Sequence, residues 1–135
     1  MEESLLALHK RYAPDDTILE LVWTHSLIVE QIAAQLIANH PELTIAQELV
    51  RQGSLLHDIG VYLVEPCPCH PRKRKPGEGP YITHALVGAN LLRKEGVHET
   101  LALIVECHTG TGITKEQIIA SHLPLPTKDF IPQTL

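Results

Sequence analysis

Aromatic side chains are scarce in this chain: one Trp, one Phe and three Tyr in 135 residues. Proteins that hold single-stranded nucleic acid stack its bases on such rings, and here there are too few for a platform. Positive charge is short as well. Eleven Lys and Arg stand against 16 Asp and Glu, for a net charge of -5, so no overall field draws in a phosphate backbone or an anionic membrane. No run approaches the roughly 20 apolar residues of a bilayer span, and the N-terminus lacks the basic-then-apolar layout of a secretion signal. The three cysteines, odd in number and unevenly spaced, do not make a disulfide framework and fit a reducing compartment. The expectation is a cytoplasmic protein without membrane or nucleic-acid partners. A chain of this length makes one domain, residues 1–135, burying about two-thirds of its unfolded surface.

Alternating apolar runs are also missing, and no internal repeat is present, so sheets and solenoids are not expected. What remains is apolar spacing of three and four. It predicts an all-α, single compact bundle of about five or six helices. The first covers Met1 to Tyr12, and the second runs from a cap at Asp15 or Asp16 to Asn39 ahead of Pro41. A third opens at Thr44 and ends at His57-Asp58, with Gly60 suited to the left-handed conformation that stops helices. Later helices span Tyr81 to Glu95, Glu99 to His108 and Thr114 to Ser121. Between Pro66 and Pro80 fall five of the ten prolines and four of the eleven Lys and Arg residues. That segment is a loop, leaving from His57-Asp58 and returning at His84 like a lid. Residues 123–135 read as an extended tail.

Histidine is the plentiful polar residue, with nine. His25, His84 and His108 each take a place on an apolar stripe where an aliphatic residue is expected: Ile18, Leu21, Val22, His25, Ile28, Val29, Ile32 is one such series. One inward imidazole is ordinarily a core residue with a local partner. Several on separate helices, with His57-Asp58 on another, are more easily satisfied together around a metal than one by one. Imidazole and carboxylate together suit iron, manganese, nickel or zinc better than magnesium. His9, His98 and His122 read as surface residues, and His40 lies in a turn with no role. Cys67-Pro68-Cys69-His70 offers three close ligands without a fourth, short of a zinc site.

The ordered set His25, His57-Asp58-Ile59-Gly60, His84 and His108 resembles the HD-domain superfamily of metal-dependent phosphohydrolases, in its small stand-alone His-Asp-Ile-Gly form. The segments His84-Ala85-Leu86-Val87-Gly88-Ala89, His108-Thr109-Gly110-Thr111-Gly112-Ile113 and Lys128-Asp129-Phe130-Ile131-Pro132 extend the likeness. The resemblance implies one or two divalent ions, with His25, His57 and Asp58 on the first, and His84 and His108 on a second bridged through Asp58. The superfamily also supplies a final Asp from a late helix. No residue of this chain matches it, Asp129 being only a distant stand-in, so the first site is expected to be one ligand short or the chain a truncated form.

The implied chemistry is hydrolysis of a phosphomonoester or phosphodiester, a nucleotide being the favoured class, by a metal-activated hydroxide with His57 and Asp58 at its centre. Arg72, Lys73, Arg74 and Lys75 could then clamp substrate phosphate, although such a run is more often solvated charge. Two other classes compete: a di-iron oxygenase of the same superfamily, and a non-catalytic module binding metal or nucleotide.

Overall fold

Apolar spacing becomes helix almost everywhere it was expected. A computed structural model describes residues 2–66, 73, 75, 76, 78–109 and 114–123. Its helices are α1 (Glu2–Tyr12), α2 (Asp16–Asn39), α3 (Gln47–Leu56), α4 (His84–Lys94), α5 (Glu99–Cys107) and α6 (Lys115–Ala120), with 3₁₀ turns at Ile59–Leu63 and Tyr81–Thr83. Among the described residues there is no strand, only an isolated bridge between Val64 and Gly79. The architecture is the expected all-α bundle. Leu8, Ile18, Val22, Leu56, Ile59, Tyr62, Ala89, Leu92, Ala102 and Val105 form its core.

Several starts and stops differ from the sequence reading, each for a local reason. Asp15 does cap α2, its Oδ1 accepting from the Ile18 N–H at 2.8 Å. The cap at the other end is His40 rather than Asn39, its N–H bonding the Ile37 carbonyl. α3 begins after Ala46, with no side-chain cap, so Thr44 does not open it. At the far end of the chain, Thr114 and Gln117 make a reciprocal capping box for α6.

Gly60 is a clearer correction. Gly96 is the glycine with positive φ among those described; Gly60 serves close approach instead. A Cβ on Gly60 would lie 2.0 Å from the His84 carbonyl oxygen and 2.5 Å from the Gly88 nitrogen. The turn after His57-Asp58 thus lies directly on the start of α4, which brings His84 to the same place as the dipeptide.

α2 also departs from expectation. Ile18, Val22 and Ser26 are buried, but Leu21, Ile28, Ile32 and Leu36 are each more than half exposed. The apolar stripe that was expected to face inward is therefore split, with His25 at its rim. By length and composition α2 passes the test for a membrane span, with mean hydropathy 1.3 over 18 residues, although no stretch was expected to. A mostly buried core helix passes the same test, but only 11% of this stretch is buried; the helix packs against α3 and carries Glu20 and Glu30.

The 66–80 loop is pinned at its base. The Glu65 N–H donates to the Gly79 carbonyl at 2.9 Å, so the segment leaves and returns at one point, beside the 3₁₀ turn that precedes α4. Most of its interior, including Arg72, Arg74 and Cys67 to His70, lies outside the described residues, as does the 124–135 tail with Asp129.

Candidate metal centre

Each candidate residue stands at a helix end or on a helix rim, where backbone packing fixes its direction. His57 is the C-cap of α3, and Asp58 the cap of the following 3₁₀ turn. His84 opens α4 and His108 closes α5. α4 and α5 pack through Ala89, Leu92, Ala102 and Val105. They are tied further by Arg93, which donates to the buried Glu106 at 2.6 Å. Gly88 admits this packing at its narrowest point, since a Cβ there would meet the Gly60 nitrogen at 3.0 Å and Val105 at 3.1 Å.

The five residues converge. His25 Nε2 lies 3.2 Å from His57 Nε2, and both are 3.3 Å from Asp58 Oδ2. His84 Nε2 lies 3.1 Å from His108 Nε2, and both are 3.3 Å from Asp58 Oδ1. One carboxylate thus serves a separate imidazole pair with each oxygen, and each trio could hold a metal ion.

Proton positions strengthen the case. His57 Nδ1 bonds the Ser54 carbonyl at 2.7 Å, His84 Nδ1 the Tyr81 carbonyl at 2.8 Å, and His108 Nδ1 the Val105 carbonyl at 2.6 Å. A carbonyl can only accept, so Nδ1 carries the proton in all three. In the neutral ring Nε2 is then a bare lone pair. Two lone pairs facing each other at 3.1 Å repel, and a cation between them removes the conflict. Nitrogens about 2.1 Å from one ion stand about 3.0 Å apart at a right angle and about 3.4 Å apart at the tetrahedral angle. The observed separations fall inside that interval, so the donor set fits a divalent transition metal. Backbone-anchored Nδ1 is also the usual support of metal-ligating histidine.

Electrostatics follow the same lines. Burial works against ionised Asp58, but His108, His57 and His84, donating from Nε2 once an extra proton stands there in place of a cation, overcome it and hold the carboxyl far below the usual carboxylate range. His57 is raised: burial opposes its charged form, and the Asp58 carboxylate more than offsets that.

His9 is the residue that sequence reasoning misplaced. It was expected at the surface and is fully buried. Its Nε2 bonds the Leu55 carbonyl at 2.9 Å and its Nδ1 the Tyr62 hydroxyl at 2.7 Å, with the Trp23 ring edge-on at 5.0 Å. The signal was present. Leu5, Leu8, His9 and Tyr12 follow the same three-and-four spacing that singled out His25, His84 and His108. His98 and His122 are exposed, as expected, and so is His40. Lys73 and Lys75 of the basic run are exposed too.

A helical bundle that aims four imidazoles and a shared carboxylate at two adjacent positions defines an all-α domain with a candidate dinuclear metal centre. Residues 22–129 match the family model described as HD domain, and the chain belongs to that family, whose members bind divalent metals and include hydrolases. An uncharacterised protein of Methanocaldococcus jannaschii is 43% identical over 118 residues, covering 86% of this chain and 60% of that protein. A tRNA (cytidine(56)-2'-O)-methyltransferase of Picrophilus torridus is 34% identical over 134 residues, which make up 99% of this chain but 32% of that protein. Ribonuclease Y of Acidothermus cellulolyticus is 33% identical over 108 residues, 80% of this chain and 19% of that enzyme. The chain thus spans less than two-thirds of each of these relatives. No solved structure matches it significantly.

Proposed function

We propose that this chain is a metal-dependent phosphohydrolase of phosphomonoesters or phosphodiesters, working as a single domain over residues 1–135 in the cytoplasm. His25, His57 and Asp58 hold one divalent ion, and Asp58, His84 and His108 a second. The observation that carries the reading is the division of the two Asp58 oxygens between two imidazole pairs. Ions held there supply Lewis-acid activation of water and of a phosphoryl group. Asp58 stays ionised and sets the separation of the two positions. The Nδ1 bonds of His57, His84 and His108 keep the opposite nitrogens aimed. His25, about half exposed, leaves one side of the centre open to substrate, and Arg72, Lys73, Arg74 and Lys75 orient its phosphoryl oxygens. Nucleotides are the favoured substrates. The ribonuclease and tRNA-modifying names among the relatives add short RNA to the panel, against the acidic net charge of the chain.

The test is a panel of nucleotides, cyclic nucleotides and a short RNA, with protein reconstituted in Mn, Zn, Ni or Fe, alongside His57→Ala. Turnover by the wild type alone supports the proposal. Equal turnover by both forms, or none with any metal, contradicts it.

Four imidazoles to one carboxylate also favour a second reading, a di-iron oxygenase. Iron in protein purified without chelator, with a charge-transfer spectrum that oxygen alters, would select it. Nucleotide bound tightly without turnover would select a third reading, a non-catalytic regulatory module.

A further inference from the structure

A buried imidazole closes a bracket around the dipeptide at the candidate centre. The last carbonyls of a helix have no partner within it, and in α3 two of these are taken by histidine rings: Ser54 by His57 and Leu55 by His9. Leu55 lies two residues before His57. The other nitrogen of His9 reaches Tyr62, four residues after Asp58, in the 3₁₀ turn Ile59–Leu63. One ring from α1 therefore joins the two flanks of His57-Asp58. Its protonation pattern is fixed by its partners. The Leu55 carbonyl can only accept, so His9 Nε2 donates; Nδ1 must then accept, and the Tyr62 O–H donates to it. The chain of bonds runs in one direction, Tyr62 O–H to His9 Nδ1 and His9 Nε2–H to Leu55 C=O, with both nitrogens satisfied and no ion needed.

We propose that His9 and Tyr62 are positioning residues for the metal centre, holding the α3 end and the 3₁₀ turn at the separation that lets Asp58 present one oxygen to each imidazole pair. The inference rests on the metal-centre reading above. His9 lies outside the residues matched to the family model, 22–129, so the bracket would make α1 a working part of the site and not only a cover. Supporting geometry comes from Ile59, fully buried between these flanks, and from Gly60 against α4, which transmits any shift of the turn to His84.

The experiment is a titration of the metal-free full chain with cobalt(II), read by the visible ligand-field spectrum, with helicity and melting measured on each variant. Tyr62→Phe keeps the ring and removes the hydroxyl. His9→Gln keeps an amide donor for Leu55, and His9→Leu removes both bonds. Expected are folded proteins whose cobalt affinity falls about 10–100-fold, most for His9→Leu and less for His9→Gln, with altered band positions. Wild-type affinity and spectrum in Tyr62→Phe and in whichever His9 variants fold, even with lowered melting temperatures, would overturn the bracket, because purely structural damage lowers stability without changing the folded site. His57→Ala separates the two claims. If it binds cobalt as the wild type does, the metal centre fails and the bracket with it; if it alone is impaired, only the bracket fails.

Discussion

Two groups of histidine lie side by side in this molecule and satisfy their nitrogens in different ways. His9 gives one nitrogen to a carbonyl and the other to a hydroxyl, both supplied by the chain. His57, His84 and His108 also give Nδ1 to a carbonyl, but their second nitrogens meet other imidazole nitrogens at 3.1–3.2 Å around one carboxylate. The first group is complete without a ligand. The second is complete only when a cation, or extra protons, fill the gap. Burial alone does not mark a functional histidine; what each ring nitrogen faces does.

The sharpest way to break this contrast is at Asp58. Asp58→Asn removes the charge shared by both pairs, and metal affinity should fall by at least about 100-fold, more than loss of an outer-sphere partner, with hydrolysis at background. Metal analysis after dialysis measures it. Next is chelation. If the ion is present at about 1,000 times its Kd, removing it costs about 4 kcal/mol of stability, which lowers the melting temperature by roughly 10–20 °C; scanning calorimetry before and after chelator tests this, and an unchanged Tm would make these ordinary core histidines.

Acid acts on the other group. Burial lowers His9 from 6.5 to about 4, the Leu55 hydrogen bond opposing in part. The folded state therefore prefers the neutral ring. Its contribution is fully present above pH 6.5 and is lost as pH falls from 6.5 through 4, amounting to about 2.5 kcal/mol by pH 4.5. Urea midpoints of metal-free wild type and His9→Gln across that range isolate it, because the variant lacks the slope that His9 contributes. The smallest effect is expected at His25, about half exposed. His25→Ala should change metal-free stability by no more than about 0.5 kcal/mol while lowering metal content, a dissociation that His9 would not show.

Much of the site could be read from spacing. His84 and His108 sit where their stripes placed them, and His57-Asp58 stands just past a helix end as expected. What escaped was tertiary. Gly60 is needed because α4 passes within a side chain's width, a fact no local pattern encodes, so a helix-stop role was the natural reading. His9 was legible in the Leu5-Leu8-His9-Tyr12 stripe, but its partners Leu55 and Tyr62 lie 46 and 53 residues away. The α2 stripe erred in the opposite direction. Leu21, Ile28, Ile32 and Leu36 have helix-core spacing, yet each is exposed, because periodicity reports an apolar face without naming what covers it.

The central claim is that Asp58 bridges two ions. Crystals of protein purified without chelator and loaded with manganese or zinc, measured at the metal absorption edge, test it directly. The account predicts two anomalous peaks about 2.0–2.2 Å from their ligands, one shared by His25, His57 and Asp58 and the other by Asp58, His84 and His108. Absence of metal at both positions, with the imidazoles instead protonated and bonded to one another or to Asp58, would contradict it.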